Sequence, residues 1–238
     1  PQGLVQRDVI RILFMVGLPM MIIVMQPDLG TAIIMSVTVC VMIVIAGVPP
    51  RFMALLGVLG VVGAISAIYE GFLQKYQLSR LTAFLNQNSN DPMLAAAIYH
   101  VDNAKNAIGA GGIRGMGLFN GLQTTLGYVP EQRTDFIFTA IGEQLGLIGS
   151  LVFLGLLSLV AYRIFVTARD AKEQFGRLLC VGIFVFFSFS CFQNIGMTMG
   201  IMPVTGIPLP LVSYGGTAAL VFSGAIGMVL SVSRRHGN

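Results

Sequence analysis

Residues 145–162 read LGLIGSLVFLGLLSLVAY. They contain no charged side chain, and a helix of about this length crosses the hydrocarbon of a bilayer. Five further stretches read the same way: Val9–Met25 with Pro19 inside it, Leu29–Val48, Phe52–Tyr69, Leu178–Met202 and Leu209–Val232. The composition agrees. Of 238 residues, 55% are hydrophobic and 10% are charged, and the mean hydropathy is +0.82. A soluble domain carries roughly 25% charge. A disordered chain, a disulfide-rich secreted module and an ordinary cytosolic enzyme are therefore excluded, and the expected fold is all-α, a multi-span bundle of transmembrane helices. The chain opens at Pro1 rather than Met, and is expected to be a piece of something longer.

Six spans place both ends on one side of the membrane. Arg7, Arg11, Arg51, Arg163, Arg169, Lys172, Arg177, Arg234 and Arg235 then all fall on that side, which the positive-inside rule makes cytoplasmic. The long stretch 70–143 lies outside, with five basic residues spread along it: Lys75, Arg80, Lys105, Arg114 and Arg133. The net charge of +4 thus reads as orientation rather than as a nucleic-acid surface. Cys40, Cys180 and Cys191 sit in apolar runs and read as small buried hydrophobes. Cys180 and Cys191 on one helix would be roughly 16 Å apart, too far to bridge. The first apolar run has no small-residue cleavage site, so no signal peptide is read.

A structured loop as long as 70–143 inside a compact protein usually carries function. Ionisable groups at membrane depth are costly and are functional candidates by default. Asp28, in Gln26-Pro27-Asp28-Leu29-Gly30-Thr31, stands between two spans, where Pro27 breaks the helix and Asp can cap the next one. Pro130-Glu131-Gln132-Arg133-Thr134-Asp135-Phe136-Ile137-Phe138 sits where the loop enters the fourth span. On a helix, Glu131 and Asp135 would share a face. A carboxylate at an apolar boundary with an arginine beside it has the tuning of a general base; the plainer reading is capping by Thr134 or Asp135, with Glu131 and Glu143 solvated. The glycine-rich run 109–117 has neither the spacing nor the βαβ setting of a dinucleotide fingerprint, nor the ending of a P-loop. It reads as a turn or, with Lys105 and Arg114, as an anion cradle. His100 reads as structural or surface, and the thirteen methionines as filler. No zinc-ligand spacing is present.

Residues 194–218 read NIGMTMGIMPVTGIPLPLVSYGGTA. Irregular backbone at membrane depth is tolerated only where it is buried in protein or lines a wet cavity, so this segment is expected to line a cavity on the outer side, with Ser213 and Tyr214 as donors. Gly142-xxx-Gly146 and Gly196-xxx-Gly200 would also let helices approach closely.

Three blocks, QPDLGT at 26–31, PEQRTDFIF at 130–138 and the run from Asn194 to Ala218, resemble the SEDS family (shape, elongation, division, sporulation), and PVTGIPLP looks more like its elongation branch than its division branch. The resemblance covers essentially the whole chain, as the last six of the family's about ten spans. It implies one membrane domain over 1–238, truncated at its N-terminus, with 70–143 as the large extracytoplasmic loop, in the bacterial cytoplasmic membrane. It implies a peptidoglycan glycosyltransferase that polymerises glycan strands from lipid II for cell elongation and shape, working with a class B penicillin-binding protein and other proteins of the elongation or division complex. The family's essential aspartate maps onto Asp135 and its QPDLGT aspartate onto Asp28. On this reading Asp135 is the base. Asp28, Lys105, Arg114, Arg133, Glu131, Ser213 and Tyr214 bind substrate, and a divalent cation, Mg or Mn, with Asp28 as its ligand, is the one cofactor to consider. A flippase for a lipid-linked precursor and a non-catalytic scaffold of the same machinery are the competing classes.

Overall fold

The computed structural model describes residues 6–26, 28–49, 74–87 and 91–236, with a few isolated positions between them. Described in chain order are α1 (Gln6–Met25), α2 (Leu29–Ile45), α3 (Lys75–Leu85), α4 (Ala95–Ala110), the single turn α5 (Leu122–Leu126), α6 (Ile137–Asp170), α7 (Gln174–Thr198) and α8 (Gly216–His236). No strand occurs among the described residues. The expected span Phe52–Tyr69 lies almost wholly outside them, as does Pro27.

Three helices are long and apolar enough to cross a membrane, Ile137–Asp170, Gln174–Thr198 and Gly216–Arg235, and two shorter apolar helices, Phe14–Met25 and Leu29–Ile45, accompany them. This is a multi-pass membrane protein. At its centre, α7 packs on α6, α2 and α8. Phe187, Leu209, Ile164 and Cys180, all at most 2% exposed, form the heart of the core. Cys180 and Cys191 share α7 as expected, whereas Cys40 is exposed on α2.

The span boundaries shift where glycine and proline act. The fourth span begins at Ile137 rather than Leu145, and it is broken inside: Gly146 has φ 66° and ψ −164°. The fifth ends at Thr198, and the sixth begins only at Gly216. Between them Gly200 and Gly206 take φ values of 72° and 75°, and Pro203, Pro208 and Pro210 have no amide to offer a helix.

The break at Gly146 explains the glycine-rich run. A broken helix leaves amides and carbonyls that lipid cannot satisfy. Here the run supplies the partners. Met116 N donates to Glu143 O (3.0 Å) and Gly117 N to Gln144 O (3.0 Å), while Leu147 N and Ile148 N donate to Gly112 O (2.9 Å) and Ile113 O (3.2 Å). The glycines are needed for closeness. A Cβ on Gly111 would lie 2.0 Å from Gly142 O, one on Gly115 2.2 Å from Gln144 O, and one on Gly146 2.3 Å from Gly115 N. The run is thus a backbone clasp on α6 rather than a loose turn. Gly142 does bring helices together, against Ile108 of α4, but Gly146 serves the break and not a helix–helix stripe.

Gly146→Ala combines a left-handed φ with a clash against backbone, and should cost about 2–5 kcal/mol. Gly155→Ala, on the same helix with open space around it, should be neutral. Thermal unfolding of the two variants in one detergent compares them directly.

Candidate functional site

The stretch 131–135 is a turn and not a helix, so Glu131 and Asp135 do not share a helical face. Glu131 holds φ 50°, rare for a residue with a side chain. Its carbonyl accepts from the amides of Asp135 (3.0 Å) and Phe136 (3.2 Å). The Thr134 hydroxyl turns back to Glu131 O (3.2 Å), and α6 starts after Phe136 without a side-chain cap, so neither Thr134 nor Asp135 caps it.

Three successive carbonyls of this turn are held from the 194–214 segment. Tyr214 N donates to Arg133 O (2.9 Å), the Ser213 hydroxyl to Thr134 O (2.5 Å) and Asn194 Nδ2 to Asp135 O (2.7 Å). Asn194 is fully buried and gives its other Nδ2 hydrogen to Ile207 O (2.7 Å). Two carbonyls facing one amide group fix it as the nitrogen end. Ser213 also accepts from Leu209 N (2.8 Å). Ser213 and Tyr214 are thus occupied in shaping the turn, and the Tyr214 side chain, 79% exposed, points away from it.

With its backbone held, the Asp135 side chain is half-buried at a cavity of about 240 Å³, whose polar lining is Tyr76, Ser79, Arg80, His100, Glu131 and Asp135. Val204, from the irregular segment, lines it too, as the sequence led us to expect of that segment. A far larger groove, about 660 Å³ between α6 and α7, is almost wholly apolar and holds no carboxylate. The smaller cavity, with its carboxylates, is the candidate site. Burial raises the Asp135 carboxyl above the usual aspartate value. The neighbouring Thr134 hydroxyl and the Arg80 charge lower it, and the Glu131 carboxylate raises it further. Gly206 brings backbone to within van der Waals reach of this carboxylate: a Cβ there would sit 3.4 Å from Asp135 Oδ2.

The other sequence candidates scatter. Asp28 caps α2, accepting from Thr31 N (3.0 Å) and the Thr31 hydroxyl (2.7 Å). The same helix end abuts the irregular segment, since a Cβ on Gly30 would meet Thr205 O at 2.8 Å. Asp28 therefore stands behind the segment whose other part faces Asp135. Lys105 Nζ donates to Gln87 Oε1 (2.6 Å) and pairs with Asp102 (3.8 Å). Arg114 is exposed on the clasp, and Arg133 is exposed outside the cavity lining. Glu143, expected in solvent, is fully buried. Its carboxylate accepts from Gln123 N (2.7 Å), Thr124 N (2.9 Å) and the Thr124 hydroxyl, closing the start of α5. Arg80 and His100 were missed as site residues. Tyr76, Ser79 and Arg80 do recur at i, i+3 and i+4, the signature of one polar helix face, but nothing in that pattern says which face meets Asp135. His100, read as structural or surface, stacks against Phe136 (centroids 6.4 Å apart) at the cavity. Among the described residues no three of His, Cys, Asp and Glu are placed so that they could hold a metal ion together. Asp28 has both oxygens engaged by Thr31. The described donors do not fit a resident divalent cation, and no step below runs through one.

A family model described as "Cell cycle protein", covering FtsW, RodA and SpoVE, matches residues 4–238. Peptidoglycan glycosyltransferase MrdB of Escherichia coli (strain K12) is 38% identical over 220 residues, 92% of this chain and 58% of that protein. Stage V sporulation protein E of Bacillus subtilis (strain 168) is 36% identical over 214 residues, 90% of this chain and 57% of that protein. The chain thus spans about three fifths of the length of the curated relatives it matches. In three dimensions it resembles a chain of a peptidoglycan synthase complex solved for the coordination of polymerization and crosslinking (TM-score 0.77, 26% identity, covering 96% of this chain and 62% of that one). It also resembles the rod shape determining protein RodA of Thermus thermophilus (TM-score 0.59, 26% identity, 97% and 56%).

If Asn194 holds the turn, Asn194→Asp should be worse than Asn194→Ala, because a carboxylate would face two carbonyls. Removal of the two buried hydrogen bonds alone should cost about 1–3 kcal/mol. Melting temperatures of both variants give the order.

Proposed function

Because the chain belongs to the FtsW/RodA/SpoVE family of cell cycle proteins, the SEDS family its motifs resemble, we propose that it is the catalytic part of a peptidoglycan glycosyltransferase that builds glycan strands from lipid II. The observation that carries the reading is the Asp135 carboxylate: raised by burial, aimed into a cavity, and held by its backbone so that its oxygens stay available. Relatives named as peptidoglycan glycosyltransferases support the same class.

In the reaction, Asp135 accepts the proton of the acceptor sugar's hydroxyl. That oxygen forms a bond to the donor's anomeric carbon, and the bond from this carbon to the diphosphate oxygen breaks, the electron pair leaving with the diphosphate. A base of this kind contributes about 10²–10⁴-fold. The divalent cation expected from sequence would arrive as a counterion of the diphosphate rather than reside on Asp28. The loop 70–143 would face outward and the C-terminus the cytoplasm, in keeping with the basic residues that gather at the other end of α6, α7 and α8. A class B penicillin-binding protein would supply crosslinking, which the likeness to a chain of a synthase complex supports.

With labelled lipid II, the intact protein should make long glycan strands, and Asp135→Asn should lose at least about 100-fold in rate. Movement of lipid II between leaflets without polymer would instead mean a transporter, and a fully active Asp135→Asn would remove the base. The base works ionised, so activity should fall as pH drops through a midpoint above that of an ordinary aspartate; Glu131, Arg80 and His100 face the same cavity, and of these Glu131 raises the midpoint and Arg80 lowers it. Stability runs the other way. Below the unfolded aspartate's pKa both states are protonated and the group contributes nothing. As pH rises through the higher folded value, the fold bears the cost of a half-buried charge. Asp135→Asn should therefore melt higher than the parent at neutral pH, with the difference vanishing in acid.

A further inference from the structure

The leaving diphosphate needs a cation, and the three basic residues that the sequence singled out do not line the cavity. Arg80 does. We propose that Arg80 is the anion-binding group of this site and holds the diphosphate of a lipid-linked glycosyl donor; this rests on the polymerase reading above.

Arg80 sits on α3, whose residues Tyr76, Ser79 and Arg80 face the cavity together. Among the described residues it is the one guanidinium or ammonium in that lining, which it shares with Glu131 and Asp135. It nevertheless forms no ion pair with either. The ion pairs among the described residues are Lys105–Asp102 and Arg169–Asp170. Its charge is felt at Asp135, but the carboxyl remains above its ordinary value. The two groups therefore share one cavity without forming an ion pair. A half-buried guanidinium without a carboxylate partner is an incomplete site, and its planar fork of donors matches phosphate oxygens. The Tyr76 ring, 5.5 Å from Arg80 Cζ to its centroid, supports the guanidinium from one side. The arrangement puts a base and a cation in one cavity, as a displacement with a diphosphate leaving group requires. Shielding the diphosphate's charge as the carbon–oxygen bond breaks is the service that such a cation gives.

The test uses the intact protein with Arg80→Gln and Arg80→Lys, both first checked for a parental melting temperature. Polyprenyl diphosphate, polyprenyl monophosphate and inorganic pyrophosphate are each titrated as inhibitors of strand synthesis. Arg80→Gln should weaken polyprenyl diphosphate inhibition about tenfold or more, as for loss of one charge-assisted pair, and lower kcat. Arg80→Lys should recover part of both. Arg80-dependent inhibition by inorganic pyrophosphate as well would show that the anion alone is recognised; inhibition only by the lipid-linked form would show that the site needs the carrier. Both outcomes support the assignment. If Arg80→Gln merely moves the acid limb of the pH profile and leaves polyprenyl diphosphate inhibition intact, Arg80 tunes Asp135 and the proposal falls. Binding of labelled polyprenyl diphosphate to Asp135→Asn, with and without Arg80→Gln, separates the two ideas. An active Asp135→Asn removes the base, while Arg80-dependent binding still decides the anion site.

Discussion

Three consecutive carbonyls, those of Arg133, Thr134 and Asp135, are each held by a donor from the segment that follows α7. The placing of Asp135 depends on that grip. The turn it fixes is irregular and contains a left-handed Glu131, a conformation that an isolated peptide would leave. Its donors come from two kinds of backbone. Asn194 projects from the last turns of α7, while Ser213 and Tyr214 belong to the stretch just before α8. Closing α7 and α8 around the 199–215 segment therefore also fixes where Asp135 points. The spans and the site are one structure, joined by hydrogen bonds that lipid could not replace.

The same logic holds at the second irregularity. The Gly146 break would be intolerable in hydrocarbon were its freed amides and carbonyls left alone. The clasp from residues 112–117 answers two of the carbonyls and two of the amides. Glu143 and Thr124 then tie the start of α5 to α6. Two stretches of non-helical backbone thus meet α6 on the loop side, one at its first residues and one two to three turns along. Together they give a membrane helix a rigid collar of polar backbone, on which a carboxylate can be positioned to within the tolerance catalysis needs.

Much of this was legible in the sequence. The apolar runs gave an all-helical multi-span fold and most span centres, because twenty apolar residues in a row have few other uses. Asp135 stood out as an ionisable group at an apolar boundary. The segment 194–218 was readable as irregular, since glycine and proline speak locally. What was not legible is long-range pairing. No local rule tells that glycines at 111 and 115 exist to let the backbone approach residues 142–146, or that the hydroxyl of Ser213 is taken by a carbonyl 79 positions earlier. Arg80 and His100 were missed for the same reason. They lie on ordinary helix faces, and only packing decides that these faces look at Asp135. The basic residues nearest in sequence drew attention because proximity along the chain is visible and proximity in space is not.

Glu143 and Asp135 show how differently one fold can hold two carboxylates. They lie eight residues apart, and on charge and spacing alone either could serve as a base. The fold treats them oppositely. Glu143 is sealed from solvent, and three donors converge on its two oxygens; further burial of substrate against it would gain nothing, because its lone pairs are already committed to α5. At Asp135 the strong donors go to the main-chain carbonyl instead of the side chain. The residue is immobilised through its main chain, and although the neighbouring Thr134 hydroxyl favours the ionised form, partial burial leaves the carboxylate harder to ionise. A group held by its backbone and open to a cavity is poised to take a proton from whatever enters. In this protein the hydrogen bonds made to the Asp135 main chain are what would keep its carboxylate in place for the role proposed above.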